Sequence, residues 1–237
     1  AKLFNITTLE SKCQDDRGNA MTPGPGWDPN RYRAIVGGVD WGGNADEENS
    51  RTVQTVFGLT YDGWFDLLHY RIYPIENPVT TVTSIIKTFR SFNVQAIGCD
   101  AGEGSLGNAY LRQEFGHGRV FPVRYSPQKE VLRWDPLLHQ GCYKANRTAI
   151  IDNFALYLDN KVDGGRIRYA KKEESQPLFS DMLSVFEDVT KSGTKVWAKH
   201  SRSVDDALHA QVYAYIAMKV ITGDLQWYTE QFSSGGH

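Results

Sequence analysis

Short apolar runs separated by turns fill the first half of the chain. Arg33-Ala-Ile-Val-Gly-Gly-Val-Asp40 is an apolar run that stops at an acid, and Thr52-Val-Gln-Thr-Val-Phe-Gly-Leu-Thr60 alternates with β-branched residues. Tyr61-Asp62-Gly63 is a hairpin turn into a further β-rich run over 64–73. Three such runs joined by short turns predict an antiparallel meander. A helix then opens at Asn77-Pro78, with Val82, Ile85, Ile86 and Phe89 at helical spacing. Val94-Gln-Ala-Ile-Gly-Cys99-Asp100 is a buried strand that again ends in an acid followed by glycines. A short helix about 108–115 leads to a strand over 119–125. Asn146–Asp159 is amphipathic, with Ile150, Ile151, Phe154, Leu156 and Leu158 crowding one side. Lys191-Ser-Gly-Thr194 turns 186–190 into 195–200 as a hairpin. The last element is an Ala-rich helix over 204–221, with Ser201 and Ser203 as N-cap candidates. Strands that begin antiparallel and then alternate with helices predict an α/β fold: a mixed sheet with helices on both faces.

The ends of the chain differ from this body. Residues 1–32 include a Pro/Gly-punctuated stretch, Met21-Thr-Pro-Gly-Pro-Gly-Trp27-Asp-Pro29, and read as a linker or arm. Residues 33–232 form the expected domain, and the Ser-Ser-Gly-Gly tail within 233–237 reads as flexible. Hydrophobic residues make up 41% and charged residues 23%, as in ordinary globular domains. No apolar stretch approaches the ~18–20 residues of a membrane span, and the first residues carry no signal-peptide pattern. Three widely spaced cysteines, Cys13, Cys99 and Cys142, exclude a disulfide framework and suit a reducing compartment. The net charge is −2, but residues 111–204 hold 16 Lys and Arg against 11 Asp and Glu. An acidic part beside a basic part fits metal-binding carboxylates next to a polyanion surface. Such a split also arises by chance in many enzymes.

Three acidic positions are placed alike. Asp40 and Asp100 end two strands expected to be neighbours, and Asp205-Asp206 open the last helix. Single acids at such places usually serve turns or caps. Several carboxylates meeting at one point repel one another unless cations neutralise them. Hard oxygen ligands suit magnesium or manganese, and two such ions ~3.5–4 Å apart serve phosphodiester hydrolysis. The glycines in Asp40-Trp-Gly42-Gly43 and Asp100-Ala-Gly102-Glu-Gly104 let the backbone approach a bulky ligand.

These segments resemble a family. Val-Gly-Gly-Val-Asp40-Trp-Gly-Gly-Asn, Ile-Gly-Cys-Asp100-Ala-Gly-Glu-Gly and Val-Asp205-Asp206-Ala-Leu-His-Ala-Gln-Val-Tyr-Ala-Tyr are similar to the nuclease domain of the large terminase subunit of tailed bacteriophages, over about residues 33–222. The resemblance implies an RNase H-like, RuvC-like fold and a metal-dependent endonuclease that cuts double-stranded viral DNA during packaging. It implies Asp40, Asp100 and Asp206 as the metal-binding catalytic aspartates, with Asp205 a close competitor, and two Mg²⁺ or Mn²⁺ ions as cofactors. Where the family pattern often continues with a further Asp, this chain has His209. Also implied are an ATPase motor domain reached through the Pro/Gly arm, a small terminase subunit and a portal as partners, and the host cytoplasm as location. The motor's Gly-x-x-x-x-Gly-Lys-Ser/Thr phosphate loop does not occur in this chain. Lys195, Lys199, His200 and Arg202 lead directly to Asp205 and are the candidates for DNA phosphate contacts.

Two rivals belong to other classes. Sugar kinases and actin-like ATP-binding proteins share an Asp-Gly-Gly strand and a second glycine-rich phosphate loop, which Asp40 and Asp100 match superficially. They need two domains around a nucleotide cleft and an adenosine loop where this chain has Asp205-Asp206. A non-catalytic nucleic-acid-binding module, with purely structural acids, predicts no dependence on divalent ions.

Overall fold

The computed structural model describes residues 1–19, 23–42, 51–102, 104–160 and 164–228. Gly43, Glu103 and the 233–237 tail lie outside the described residues. The meander forms as the pattern predicts: β1 (Tyr32–Asp40), β2 (Val53–Thr60) and β3 (Phe65–Ile72) pair antiparallel in sequence. β4 (Ala96–Asp100) then joins the other side of β1 in parallel, and β5 (Val120–Tyr125) joins β4 in parallel. Among the described residues the sheet has eight strands, because three further short ones extend it. These are β6 (Leu132–Asp135), β7 (Cys142–Ala145) and β8 (Ile167–Arg168), in the order β6-β7-β5-β4-β1-β2-β3-β8. None of the three is visible in the residue pattern, since two to four residues are too few to show an alternation.

Helices cover both faces. α2 (Pro78–Ser91) starts as expected, with the Asn77 side chain accepting from the Val79 amide at 2.9 Å and Pro78 in the first turn. With α3 (Ser105–Phe115) it closes one apolar layer that includes Ile85, Phe89, Ile97 and Leu111. The opposite layer is built by α4 (Arg147–Leu158), α5 (Lys172–Leu183) and α6 (Asp206–Thr222). On α4 the buried stripe is Ile150, Ile151, Phe154 and Leu158; Leu156, expected on that stripe, faces outward instead. The 186–200 turn forms a separate hairpin of β9 (Val185–Val189) and β10 (Lys195–Lys199).

Within the stretch read as an arm, residues 1–19 pack on the body. α1 (Ile6–Ser11) is capped by Asn5, Phe4 and Leu9 are buried in the α6-side layer, and Lys2 and Cys13 bridge to Phe186 and Tyr169.

α6 is the centre of the molecule, buried against β1, β4 and β2 on one side and packed by α4 and α5 on the other. Two glycines make its close seat. A β-carbon on Gly38 of β1 would stand 1.8 Å from the Ala210 carbonyl oxygen, and one on Gly98 of β4 would stand 2.0 Å from that of Tyr213. Only glycine lets the helix backbone lie directly on these strands. Thr55 of β2 adds a bond, donating to the Ala210 carbonyl at 2.9 Å. The helix start differs from expectation. Neither Ser201 nor Ser203 caps it; the helix begins at Asp206, and the Ala207 amide donates to Asp181 of α5 at 2.8 Å. A carboxylate from a neighbouring helix has taken the place of a local cap.

A candidate metal centre at the carboxylate edge of the sheet

The glycine seat decides where the acids lie. Asp40 comes two residues after Gly38 and Asp100 two residues after Gly98, while Asp206 opens the helix one turn before Ala210. Val39 and Cys99 are register partners on parallel strands, so Asp40 and Asp100 follow side by side at the strand ends. Asp206 reaches the same edge: its Oδ2 accepts from the Arg51 backbone amide at 3.0 Å, just across from Gly42, whose amide donates to Thr52. Three of the acids singled out from the sequence are thus brought to one end of the sheet, with Asp205 behind them. Among the described residues no three His, Cys, Asp or Glu side chains stand close enough to hold one ion together.

The electrostatics separate the four. Burial and the charges of Asp100, Asp206 and Asp205 push Asp40 well above the ordinary carboxylate range, with Lys199 opposing. Burial also raises Asp206, against the Arg51 amide and the cations of Lys199 and Arg51. Asp205 behaves in the opposite way. Burial alone would raise it, but the hydrogen bond and charge of His209 and those of Lys199 outweigh that and hold it below the usual range. Its carboxylate receives Lys199 Nζ at 2.7 Å, His209 Nε2 at 3.0 Å and Arg147 Nη2 at 3.2 Å. Burial keeps Tyr125 protonated, and its hydroxyl lies 2.6 Å from His209 Nδ1, on the ring edge opposite the Nε2 that faces Asp205. Asp205 is therefore neutralised by protein groups, and Asp40 is short of positive charge.

Several residues that build this edge carry no mark in the sequence. Arg51 ties Asp206 to Asp181, with Nη2 at 2.6 Å from Asp181 and Nε at 3.5 Å from Asp206. Trp41, directly after Asp40, lays its indole on Gly104 and Gly107, where a β-carbon would stand 1.9 and 2.4 Å from the ring. Its Nε1 donates to Asn108 at 2.8 Å, and the Asn108 amide donates to the Asp100 carbonyl at 2.7 Å. One buried asparagine thus fixes the two strand ends relative to each other. His209 is the exception: its spacing of four from Asp205 on a helix already places the two on one face.

The cations proposed for phosphates are placed on β10 and the loop after it. Lys195 lies 3.5 Å from Asp152 and 4.4 Å over the Trp197 ring, while Lys199 is committed to Asp205. His200 stacks on Phe186 at 4.6 Å, and Arg202 is exposed. Arg147 also donates to the Trp197 carbonyl, so the hairpin is fastened to the acids through Asp205.

The donor set fits a hard cation. Carboxylate oxygens at strand ends and a helix start, one of them left short of charge, match magnesium or manganese better than any soft metal.

A family model described as "Terminase RNaseH-like domain" matches residues 37–218. Solved structures are similar over nearly the whole chain. The nuclease domain of the large terminase subunit of bacterial virus Sf6 is 11% identical, with a TM-score of 0.61 over 92% of this chain and 98% of that one. The large terminase nuclease of thermophilic phage G20c, solved with bound magnesium, is 14% identical, with a TM-score of 0.56 over 91% and 96%. The large terminase nuclease domain of bacteriophage SPP1, solved with bound manganese, is 10% identical, with a TM-score of 0.52 over 88% and 97%. No curated protein matches this chain significantly. Among the described residues no helix is long and apolar enough to cross a membrane.

Proposed function

Since the chain belongs to the terminase RNaseH-like domain family, we propose that it is a metal-dependent endonuclease that cuts double-stranded DNA during genome packaging. Its RNase H-like fold, shared with large terminase nucleases, supports the assignment. The observation that carries it is the placement of Asp40 and Asp100 side by side at the ends of neighbouring parallel strands, with Asp206 of α6 at the same edge. Carboxylates gathered at one edge repel one another until cations neutralise them.

In this reading Asp40 and Asp100 hold the cations from the strand ends and Asp206 holds them from α6. Magnesium or manganese bound there supplies charge neutralisation for the phosphodiester and an activated water. The chain's own groups fix where these acids stand. Gly38 and Gly98 fix the helix against the strands, Asn108 fixes Asp100 against Trp41, and Arg51 holds Asp206 beside Asp181. Asp205 serves as the anchor for Lys199, Arg147 and His209 rather than as a first ligand. Lys195, His200 and Arg202 face the phosphates, and these contacts carry no base identity. An ATPase motor of the same subunit, a small terminase subunit and a portal are the partners, and the host cytoplasm is the setting.

The test is plasmid cleavage with Mg²⁺ or Mn²⁺. Nicking and linearisation are expected with either ion and none in EDTA, and Asp40→Asn abolishes both. Cleavage at the wild-type rate in EDTA or in Asp40→Asn would overturn the assignment.

A further inference from the structure

A fifth acid lies behind the four and has no place in the metal edge. Asp181 stands on the buried side of α5 with Leu178, Phe179 and Met182, and is 1% exposed. A carboxylate there costs stability unless it is paired and hydrogen-bonded. Its Oδ2 accepts twice, from the Ala207 amide at 2.8 Å and from Arg51 Nη2 at 2.6 Å. Capping α6 accounts for the first bond alone, because a short neutral acceptor serves that purpose as well. The second bond concerns Arg51, which stands between two carboxylates and binds the one outside the metal edge more closely.

The distances show how the guanidinium is shared. Nη2 is hydrogen-bonded to Asp181, whereas Nε stands 3.5 Å from Asp206 Oδ2 and, though buried, makes no hydrogen bond among the described residues. A charged N–H···O bond closes to about 2.7–2.9 Å, so the side chain of Arg51 stops short of Asp206. What Asp206 accepts from Arg51 is the backbone amide, at 3.0 Å on that same Oδ2. Its Oδ1 has no hydrogen bond among the described residues. A guanidinium released from Asp181 has less than an ångström to close before it pairs with Asp206. A carboxylate paired in that way offers a hard cation fewer oxygens. We propose that Asp181 is a positioning residue that holds the Arg51 guanidinium off Asp206 and so keeps this carboxylate open to a divalent cation, an inference that rests on the metal edge of the nuclease reading. The same Asp181 oxygen fixes the start of α6 through Ala207, so one buried acid sets both where Asp206 stands and what it is free to bind.

The experiment is a double-mutant cycle on the whole chain, read by Mn²⁺ calorimetry, with thermal midpoints without metal and plasmid cleavage run in parallel. Asp181→Asn is isosteric and keeps an acceptor for the Ala207 amide, but it lets Arg51 go. Its Mn²⁺ affinity is expected to fall about tenfold, the scale of one hydrogen bond to a charged group. Adding Arg51→Gln to Asp181→Asn should restore most of that affinity, which a misplaced α6 would not allow. Arg51→Gln alone should tighten Mn²⁺ binding by a smaller factor, because Asp181 already keeps the guanidinium away. Two charges acting independently give equal factors in both backgrounds, and equal factors would overturn the proposal. Unchanged affinity in Asp181→Asn would overturn it too. So would loss of a cooperative melt in Asp181→Asn that the added Arg51→Gln does not repair, since Asp181 would then be a structural cap. The expected cycle in a wild type that binds Mn²⁺ and cuts no DNA would leave the holding role standing and overturn the nuclease reading. Failure of wild type to bind Mn²⁺ would overturn both.

Discussion

Gly98 lies beneath the carbonyl of Tyr213, so close that a β-carbon there would stand 2.0 Å from the oxygen. The obstacle is helix backbone, which cannot swing aside as a side chain does. Gly98→Ala, and likewise Gly38→Ala under Ala210, must therefore lift α6 from the sheet. Overpacking of this kind costs about 1–3 kcal/mol or more, which urea denaturation would register as a lower midpoint. The same lift moves Asp206 away from Asp40 and Asp100, so DNA cleavage should fall further than the stability loss explains.

Neutralising a strand-end acid should separate activity from stability. Asp40→Asn and Asp100→Asn each relieve repulsion within the carboxylate group. Thermal midpoints without metal are expected to equal or exceed wild type, while the rise that Mn²⁺ gives wild type shrinks and cleavage is lost. A clear drop in midpoint without metal would show that the acids are not under mutual repulsion.

The adjacent acids should differ in kind. Asp206→Ala is expected to be inactive, and Asp205→Ala partly active but less stable, because Arg147, Lys199 and His209 lose their common partner. With both cations about a third exposed, the loss is put at about 1–3 kcal/mol, below that of a fully buried pair. The sign with pH follows from the lowered pKa of Asp205. Its contribution is present above the ordinary carboxylate value of about 3.9 and is lost as pH falls through and below it. Urea midpoints between pH 3 and 6 should decline toward acid less steeply in Asp205→Ala than in wild type.

Asn108→Ala removes the link between Trp41 and Asp100. Two half-buried groups, the Trp41 indole N–H and the Asp100 carbonyl, lose their partner. A cost of about 1–3 kcal/mol is expected. As a positioning residue it should lower kcat more than it raises KM, and weaken Mn²⁺ binding measured by calorimetry. Loss of stability with unchanged Mn²⁺ affinity would make Asn108 purely structural.

The strand-end acids were legible because the same placement recurs: one acid closing an apolar run usually serves a turn, but Asp40 and Asp100 both stand in that way and Asp205-Asp206 open the last helix. The mixed sheet followed from the meander and the later helices. What could not be read are contacts between distant segments: Asp181 capping α6 across 26 residues, and Arg147 meeting Asp205 across 58. Serine near a helix start is a good local cap, yet a buried carboxylate from α5 reached the amide first. β6, β7 and β8 are held by neighbours rather than by their own patterns.

A helix buried on every side and seated through its own backbone has no partial way to come loose. The amides of residues 210–218 should exchange with deuterium only through unfolding of the whole domain, at the slowest rate in the molecule. Three of the acids at the sheet edge depend on that helix or on the strands beneath it. The carboxylate edge should thus persist intact up to the melting transition and vanish with it, rather than fading by degrees as the protein warms.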